Sequence, residues 1–295
     1  MKDKDRVLQA LAGRNAGTAP VIPLSFSQIC HLQQMEPIDL AYDPTPLANL
    51  LQQTTQLFGF EAIGILNDLA ILPEAAGCVL DWDAPWKPRI ASRVTAEQVL
   101  DLNPAQVLEQ GRFPVVLEVI RRLKVVAGRD RALVGILPEP FTLRDSLIAE
   151  MQPGYLEVSL YQKISQLLIE ALRKLCENGI DAVIMVADHC THGDQGPFVQ
   201  TAAKICKFFG VKSIFYCRST ECSQSHGTAF DAVVRLEPTD GLDSKIRRGT
   251  VLRGRKDLAG AQNGALFYVF DEDLEPDLAR DPGQLRELME LIKGS

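Results

Sequence analysis

The sequence predicts an α/β fold, a single (β/α)8 TIM barrel with an N-terminal helical extension, and three observations carry that reading. Eight short apolar runs have the length and composition of strands buried in a parallel sheet. Several of them are separated by stretches of helical periodicity, the alternation that covers a parallel sheet with helices. Neither GxGxxG nor GxxxxGK[ST] occurs, so the phosphate loops that favour an open, doubly wound sheet are missing.

The elements follow in order. Arg6 to Leu11 places Val7, Leu8 and Leu11 on one helical face, and the segment from Gly13 to Pro20 breaks it. Strands are predicted at Val21 to Ser25, Ala62 to Leu66, Ala132 to Leu137, Ala182 to Ala187, Val211 to Cys217, Phe230 to Glu237, Thr250 to Gly254 and Ala265 to Phe270. Asn103 before Pro104 reads as a helix cap, and Val115, Val116, Val119, Ile120 and Leu123 mark the apolar face that follows. Thr142 with Asp145 is a weaker start signal. Tyr161 to Glu177 carries a periodic leucine and isoleucine face and exits at Asn178-Gly179. Phe198 to Phe209 supplies a further helix, and Leu285, Leu288, Met289 and Ile292 mark the closing one. The connections at Arg218 to Ala229 and Leu258 to Gly264 are short or weakly helical, so irregular crossings are expected there.

Composition bounds the function. A chain of 295 residues with 46% hydrophobic residues can bury a large core, and one domain over residues 1–293 is the simplest organisation. The net charge of -7, from 31 Lys+Arg against 38 Asp+Glu, opposes general binding to a phosphate backbone. Nucleic acid is therefore not expected as a partner. Apolar runs such as Ala182 to Ala187 fall far short of the ~18 residues that a membrane helix needs, and the start MKDKDRVLQALAGR has no apolar signal segment. The expectation is a cytoplasmic protein with no membrane partner. Seven cysteines, an odd number in a long chain, do not describe a secreted disulfide framework.

In such a barrel, functional residues lie just after the strands on one rim. That rule selects Asp68, Glu139, Asp188 to His192, Cys217, Glu237, Asp240, Arg255 to Asp257 and Asp271 to Asp273. MVADHCTHGD places two of the four histidines around one cysteine. His189, His192 and a thiolate at Cys190 or Cys217 have the right chemistry for Zn2+. A polar loop with one histidine bonded to Asp188, or a metal-free acid–base pair, fits the same residues. Cys222 and His226, four residues apart, form a second pair of coordinating type or, in a stretch of small polar residues, a solvated connection. Asp68 opens an apolar run, either as a carboxylate acting on charge in a substrate or as a cap on the turn that follows. Arg253 and Arg255 share one face of an extended strand and could hold substrate carboxylates, or form a solvated rim. Trp82 and Trp86 could close a cavity as an apolar lid, or pack their proline-containing loop on the scaffold.

Quoted in order, RVLQALAGR (6–14), LNDLAILPEAAGCVLDW (66–82), VLEVIRRLK through VGILPEPFTLR (116–144), NGIDAVIMVAD (178–188), YCR (216–218), RGRKDL (253–258) and FDEDLEPD (270–277) resemble the uroporphyrinogen decarboxylase superfamily. That superfamily also contains zinc-dependent methylcobamide:thiol (coenzyme M) methyltransferases. The resemblance implies a barrel with its pocket at the strand carboxyl ends, and Asp68 in the position of the decarboxylases' catalytic aspartate. Where those enzymes carry an arginine-rich carboxylate grip, this chain reads SFSQICHLQQ (25–34), and FDEDLEPD lacks their late histidine. The methyltransferases' His-x-Cys pair reads Phe215-Tyr216-Cys217 here, retaining the cysteine, and no cysteine follows Cys222.

PEPFTLR and the missing arginine grip are more similar to the methyltransferase side. The resemblance thus implies a corrinoid-dependent enzyme passing a methyl group between a methylcobamide and a small thiol. Its catalytic residues are expected at Asp68, His189 and Cys217, its Zn2+ on His189, His192 and Cys217, and its substrate contacts at Trp82, Trp86, Arg253 and Arg255. A carboxy-lyase acting on a tetrapyrrole, requiring no cofactor, is the alternative, and a noncatalytic tetrapyrrole- or corrinoid-protein-binding scaffold is the third. Expected partners are free methylcobamide or a corrinoid protein, with a small thiol or a tetrapyrrole as substrate. A homodimer is compatible.

Overall fold

In the computed structural model the residues described are 1–14, 17–24, 30, 35–65, 68–82, 87–149, 156–188, 196–219, 229–235, 248–251, 266–271 and 281–294. Ten strands are found among them. Eight form one parallel sheet: β1 (Val21–Leu24), β2 (Ala62–Ile65), β5 (Ala132–Pro138), β6 (Ala182–Ala187), β7 (Lys212–Cys217), β8 (Ala232–Arg235), β9 (Arg248–Val251) and β10 (Phe267–Asp271). All eight strands expected from the sequence are present. The other two, β3 (Val79–Asp81) and β4 (Arg89–Ser92), make a small antiparallel pair in the long β2 to β5 connection. Nothing in the sequence marks this pair, because strands of three and four residues with only Leu80 and Ile90 half-buried are too short for an apolar alternation.

The hydrogen-bonded order is β1-β10-β9-β8-β7-β6-β5-β2, and the two ends of that order, β1 and β2, lie against each other. The sheet is a nearly closed barrel, and among the described residues its seam carries no ladder. Pro23 in β1 has no N–H to give, and the Val21 N–H goes instead to the buried Glu61 carboxylate, at 3.0 Å. The Pro23 carbonyl oxygen occupies the space of a side chain on Gly64, at 2.0 Å from where a Cβ would stand. Only glycine allows that approach.

Alternation along the strands makes two cores. Ile22, Val134, Ile184, Ile214, Tyr216 and Val269 fill the barrel, while Ile63, Leu133, Met185, Phe215 and Cys217 face the helices. Helix α1 (Asp3–Leu11) plugs one end, since its Val7, Ala10 and Leu11 are fully buried within the barrel-filling cluster.

The remaining helices wrap the outside. They are α2 (Pro37–Ala41), α3 (Pro44–Phe58), α4 (Ile71–Ala75), α5 (Ala96–Asp101), α6 (Pro104–Val107), α7 (Phe113–Val126), α8 (Pro140–Leu147), α9 (Leu156–Glu177), α10 (Gly196–Phe209) and α11 (Pro282–Gly294). None of the described helices is long and apolar enough to cross a membrane. Helix α3 was missed, though Asp43 caps it by accepting from the Thr45 N–H, Pro44 opens it and left-handed Gly59 closes it. Asn103 does cap a helix, but α6 is one turn long and the apolar face belongs to the separate α7. The cap of α8 is Glu139 rather than Thr142, which lies inside the helix and donates its N–H to Glu139.

A local device repeats at the amino ends of the strands. Glu61-Ala62-Ile63, Asp181-Ala182-Val183 and Asp231-Ala232-Val233 each set a carboxylate one residue before a strand. Each accepts a backbone N–H at or near the start of another strand: Val21, Leu133 and Ser213 respectively, all at 3.0 Å. Strand edges that would leave orphan donors are thereby satisfied.

Asp181 also receives Lys4 at 2.7 Å and Lys124 at 3.2 Å. Asp181→Ala is expected to lower unfolding stability by about 1–3 kcal/mol, the cost of leaving a buried donor unpaired. Urea titration checks this, and an unchanged midpoint would remove the carboxylate from the account of the fold.

Candidate active site at the carboxyl ends of the strands

Parallel strands deliver their last residues to one rim, where the first turns of the following helices also begin. Among the described residues this rim carries two polar groups of side chains.

The first runs across β5, β6, β7 and β10. Glu139 follows β5, extends the ladder by donating its N–H to Val186 O at 2.8 Å, and accepts the Thr142 N–H at 2.5 Å. Thr142 Oγ1 in turn accepts the Asp188 N–H at 3.0 Å. Arg218, just after β7, donates from Nη1 to Asp188 at 3.3 Å, and from Nε and Nη2 to the two oxygens of Asp271 at 2.9 and 3.3 Å. The Tyr216 hydroxyl donates to Asp271 at 2.8 Å. Since β8 and β9 separate β7 from β10, the Tyr216 and Arg218 bonds to Asp271 join strands that are not neighbours in the sheet. Burial raises the Tyr216 pKa and Asp271 adds to it, so the phenol stays a neutral donor. Burial likewise pushes the Glu139 carboxyl up to about 7, against the bonds from Phe141 and Thr142 that lower it.

The second group surrounds Asp68, after β2. Arg112 is completely buried and pairs with Asp68 through Nη1 and with Glu74 through Nε, the latter at 2.6 Å. The other Asp68 oxygen accepts the Ala70 N–H at 2.9 Å, so the turn-capping reading of this residue holds together with the ion pair. Tyr42 donates to Glu74 at 2.5 Å, and burial followed by that bond raises its pKa to about 12. Trp82 lies with its ring centroid 4.9 Å from the Arg112 guanidinium, a cation–π contact. Burial disfavours the charge on Arg112, but Asp68 and Glu74 outweigh it and its pKa is raised. Asp68 also borders an apolar cavity of ≈ 20 Å³ lined by Leu72, Phe113, Val116 and Ile136, room for about one water.

Of the residues chosen from the sequence, Asp68, Trp82 and Cys217 are described, as are the rim carboxylates Glu139, Asp188 and Asp271. The structure brings Asp68 and Trp82 together, through Arg112. Cys217 does not join them: its side chain is fully buried in the helix-facing layer, with Sγ 3.7 Å from Ser219 O. His189, His192, Trp86, Arg253 and Arg255 lie outside the described residues, as do Cys190, Cys222 and His226. Among the described residues no group of three His, Cys, Asp or Glu side chains could hold a metal ion. Those residues therefore do not by themselves fit zinc.

Arg112 and Arg218 were not assigned from sequence, and each left a signal. An arginine capping the amino end of α7 opposes the helix dipole, so it needs carboxylates nearby. Arg218 stands directly after a barrel strand, where the rim rule looks for function.

The model of the uroporphyrinogen decarboxylase (URO-D) family matches residues 2–195. Methylcobamide:CoM methyltransferase MtaA of Methanosarcina barkeri (strain Fusaro) is 28% identical over 199 residues, 63% of this chain and 58% of that protein. Uroporphyrinogen decarboxylase of Rhizorhabdus wittichii is 25% identical over 159 residues, 50% of this chain and 45% of that protein. The chain thus matches about half the length of these curated relatives. Across 100% of this chain and 99% of the other, the fold superposes on a methyltransferase from Methanosarcina mazei with a TM-score of 0.78 at 18% sequence identity.

Arg112→Ala is expected to cost about 3–5 kcal/mol of stability, because it strands the buried Asp68 carboxylate and leaves the partly buried Glu74 with Tyr42 in place of its ion pair. A denaturant midpoint close to that of the parent protein would contradict the pairing. Cys217→Ser places a hydroxyl in the helix-facing apolar layer and is expected to cost about 1–3 kcal/mol. A denaturant midpoint equal to that of the parent protein would contradict the apolar surroundings of this side chain.

Proposed function

The chain belongs to the uroporphyrinogen decarboxylase (URO-D) family, and from that premise we propose that it is an enzyme passing a methyl group between a methylcobamide and a small thiol at the barrel mouth. The observation that carries this choice is the state of Asp68. A decarboxylase of the kind the resemblance implies needs this carboxylate to face positive charge developing on a tetrapyrrole. Here one of its oxygens is paired with buried Arg112 and the other with the Ala70 N–H, so its charge is already spent within the protein. The identity to methylcobamide:CoM methyltransferase MtaA supports the same choice.

A methylcobamide held at the mouth, over Arg218 and Asp188, would supply an electrophilic methyl carbon and take back the electron pair of its methyl bond, and the thiol would supply the sulfur and give up its proton. The described residues have simpler tasks. Asp271 and Asp188 hold Arg218 in one orientation, and Tyr216 closes the barrel beneath it, which gives the mouth a rigid polar floor on which a polar ligand edge can be placed. His189, His192, Trp86, Arg253 and Arg255 enter the reading as rim groups proposed from the sequence. Zinc on His189, His192 and Cys217 is proposed from sequence alone. Decarboxylation of a tetrapyrrole is the second reading, favoured by the identity to uroporphyrinogen decarboxylase of Rhizorhabdus wittichii.

One comparison separates the readings. Purified protein is incubated with methylcobalamin and a panel of small thiols, and in parallel with uroporphyrinogen and coproporphyrinogen, with product masses recorded. Methyl loss matched by thioether formation is expected, with Asp271→Asn lowering kcat/KM by up to about 10²-fold through loss of orientation. Stepwise loss of carbon dioxide from a porphyrinogen would overturn the proposal. Binding of either ligand without turnover would favour a scaffold.

A further inference from the structure

Glu139 is a buried carboxyl on the rim to which none of the roles above is assigned. Only 1% of it is exposed, and it lies between the end of β5 and the first turn of α8. Its carboxylate accepts the Thr142 N–H. Thr142 is itself buried, and its hydroxyl holds the N–H of Asp188, the first residue after β6. Asp188 then receives Arg218, whose other bonds go to Asp271. The path from Glu139 to the mouth is therefore short and continuous: one carboxyl, one threonine, one loop residue, one arginine.

We infer that Glu139 is a positioning residue whose loss or gain of a proton tightens or slackens the Thr142 tether on Asp188, making the geometry of the mouth depend on pH. Ionised, the carboxylate makes charge-assisted bonds to the first-turn amides of α8, roughly twice as strong as neutral ones. Protonated, it keeps only neutral bonds, and Thr142 is held less firmly. Burial places this change at about 7, so both states are populated under ordinary conditions. The inference does not depend on which reaction the mouth performs.

Charged groups lie on every side. Arg144 and Asp145 share α8, and Asp145 adds repulsion that favours the proton. Helices α4 and α9, which pack on α8, bring Glu74 and Glu157, and Asp188 comes from the end of β6. His189 and His192 follow Asp188 in sequence.

The test is hydrogen exchange at the Asp188 amide of the full chain, expressed as protection relative to the Ile184 amide and followed through pH values on both sides of about 7. Protection is expected to fall about fivefold as pH drops through the transition, the loss appropriate to one weakened hydrogen bond. In Glu139→Gln, which keeps the shape and an acceptor oxygen but cannot titrate, protection should not respond to pH. Thr142→Val should leave the amide poorly protected at every pH. Protection in the parent protein that is flat across the range, or a full response surviving in Glu139→Gln, would overturn the inference; the second result would move the titration to the histidines. If Glu139→Gln does not fold, the parent and Thr142→Val still decide it, because a pH response that persists without the Thr142 hydroxyl cannot pass through the tether.

Discussion

Closure of the barrel depends on one close approach, the Pro23 carbonyl against the α-carbon of Gly64. Seven neighbouring strand pairs are held by parallel ladders, and the eighth is not. At that seam the chain replaces ladder bonds with contact: proline withdraws a donor that would find no acceptor, glycine withdraws a side chain that would keep the strands apart, and Glu61 takes up the Val21 N–H. Once the ring is nearly closed, the strands share a filled inside, and among the described residues helices cover the outside of β2, β5, β6 and β7. The parity of each side chain is then fixed.

That parity distributes the chemistry. Tyr216 points into the barrel and Cys217 out of it because they are adjacent on one strand. Adjacent residues of one strand thus serve different layers, Cys217 the helix-facing one and Tyr216 the barrel interior. The polar floor follows from the same constraint. Asp271, completely buried at the end of β10, must be compensated. Tyr216 in β7 and Arg218 just after it do so.

The two rim groups use charge differently. Around Asp68, one buried guanidinium satisfies two carboxylates between aromatic rings, an arrangement that is costly to break and confers rigidity more than net stability. Around Arg218, the bonds link the carboxyl ends of three different strands, and Asp188 remains partly exposed, with 40% of its side chain accessible. That combination of a fixed base and an accessible edge is what a ligand-facing floor requires.

How much was legible follows from the range of each interaction. Eight strand segments, the plugging helix α1 and the long helices α9 and α10 could be read from the sequence, because hydrophobic periodicity and capping residues act over a few neighbouring positions. The β3–β4 pair escaped because its strands bury too little to leave a pattern, and α3 escaped despite the capping Asp43 and closing Gly59 that mark it. The rim rule, too, found Asp68, Glu139, Asp188 and Asp271 from sequence, since a strand's end is a local fact. Which of them meet was decided by tertiary structure alone: Arg112 reaches Asp68 from 44 residues away, and Arg218 reaches Asp271 across 53. Partners at such separations are brought together by barrel closure and strand register, and nothing in the local order of residues encodes the distance between them.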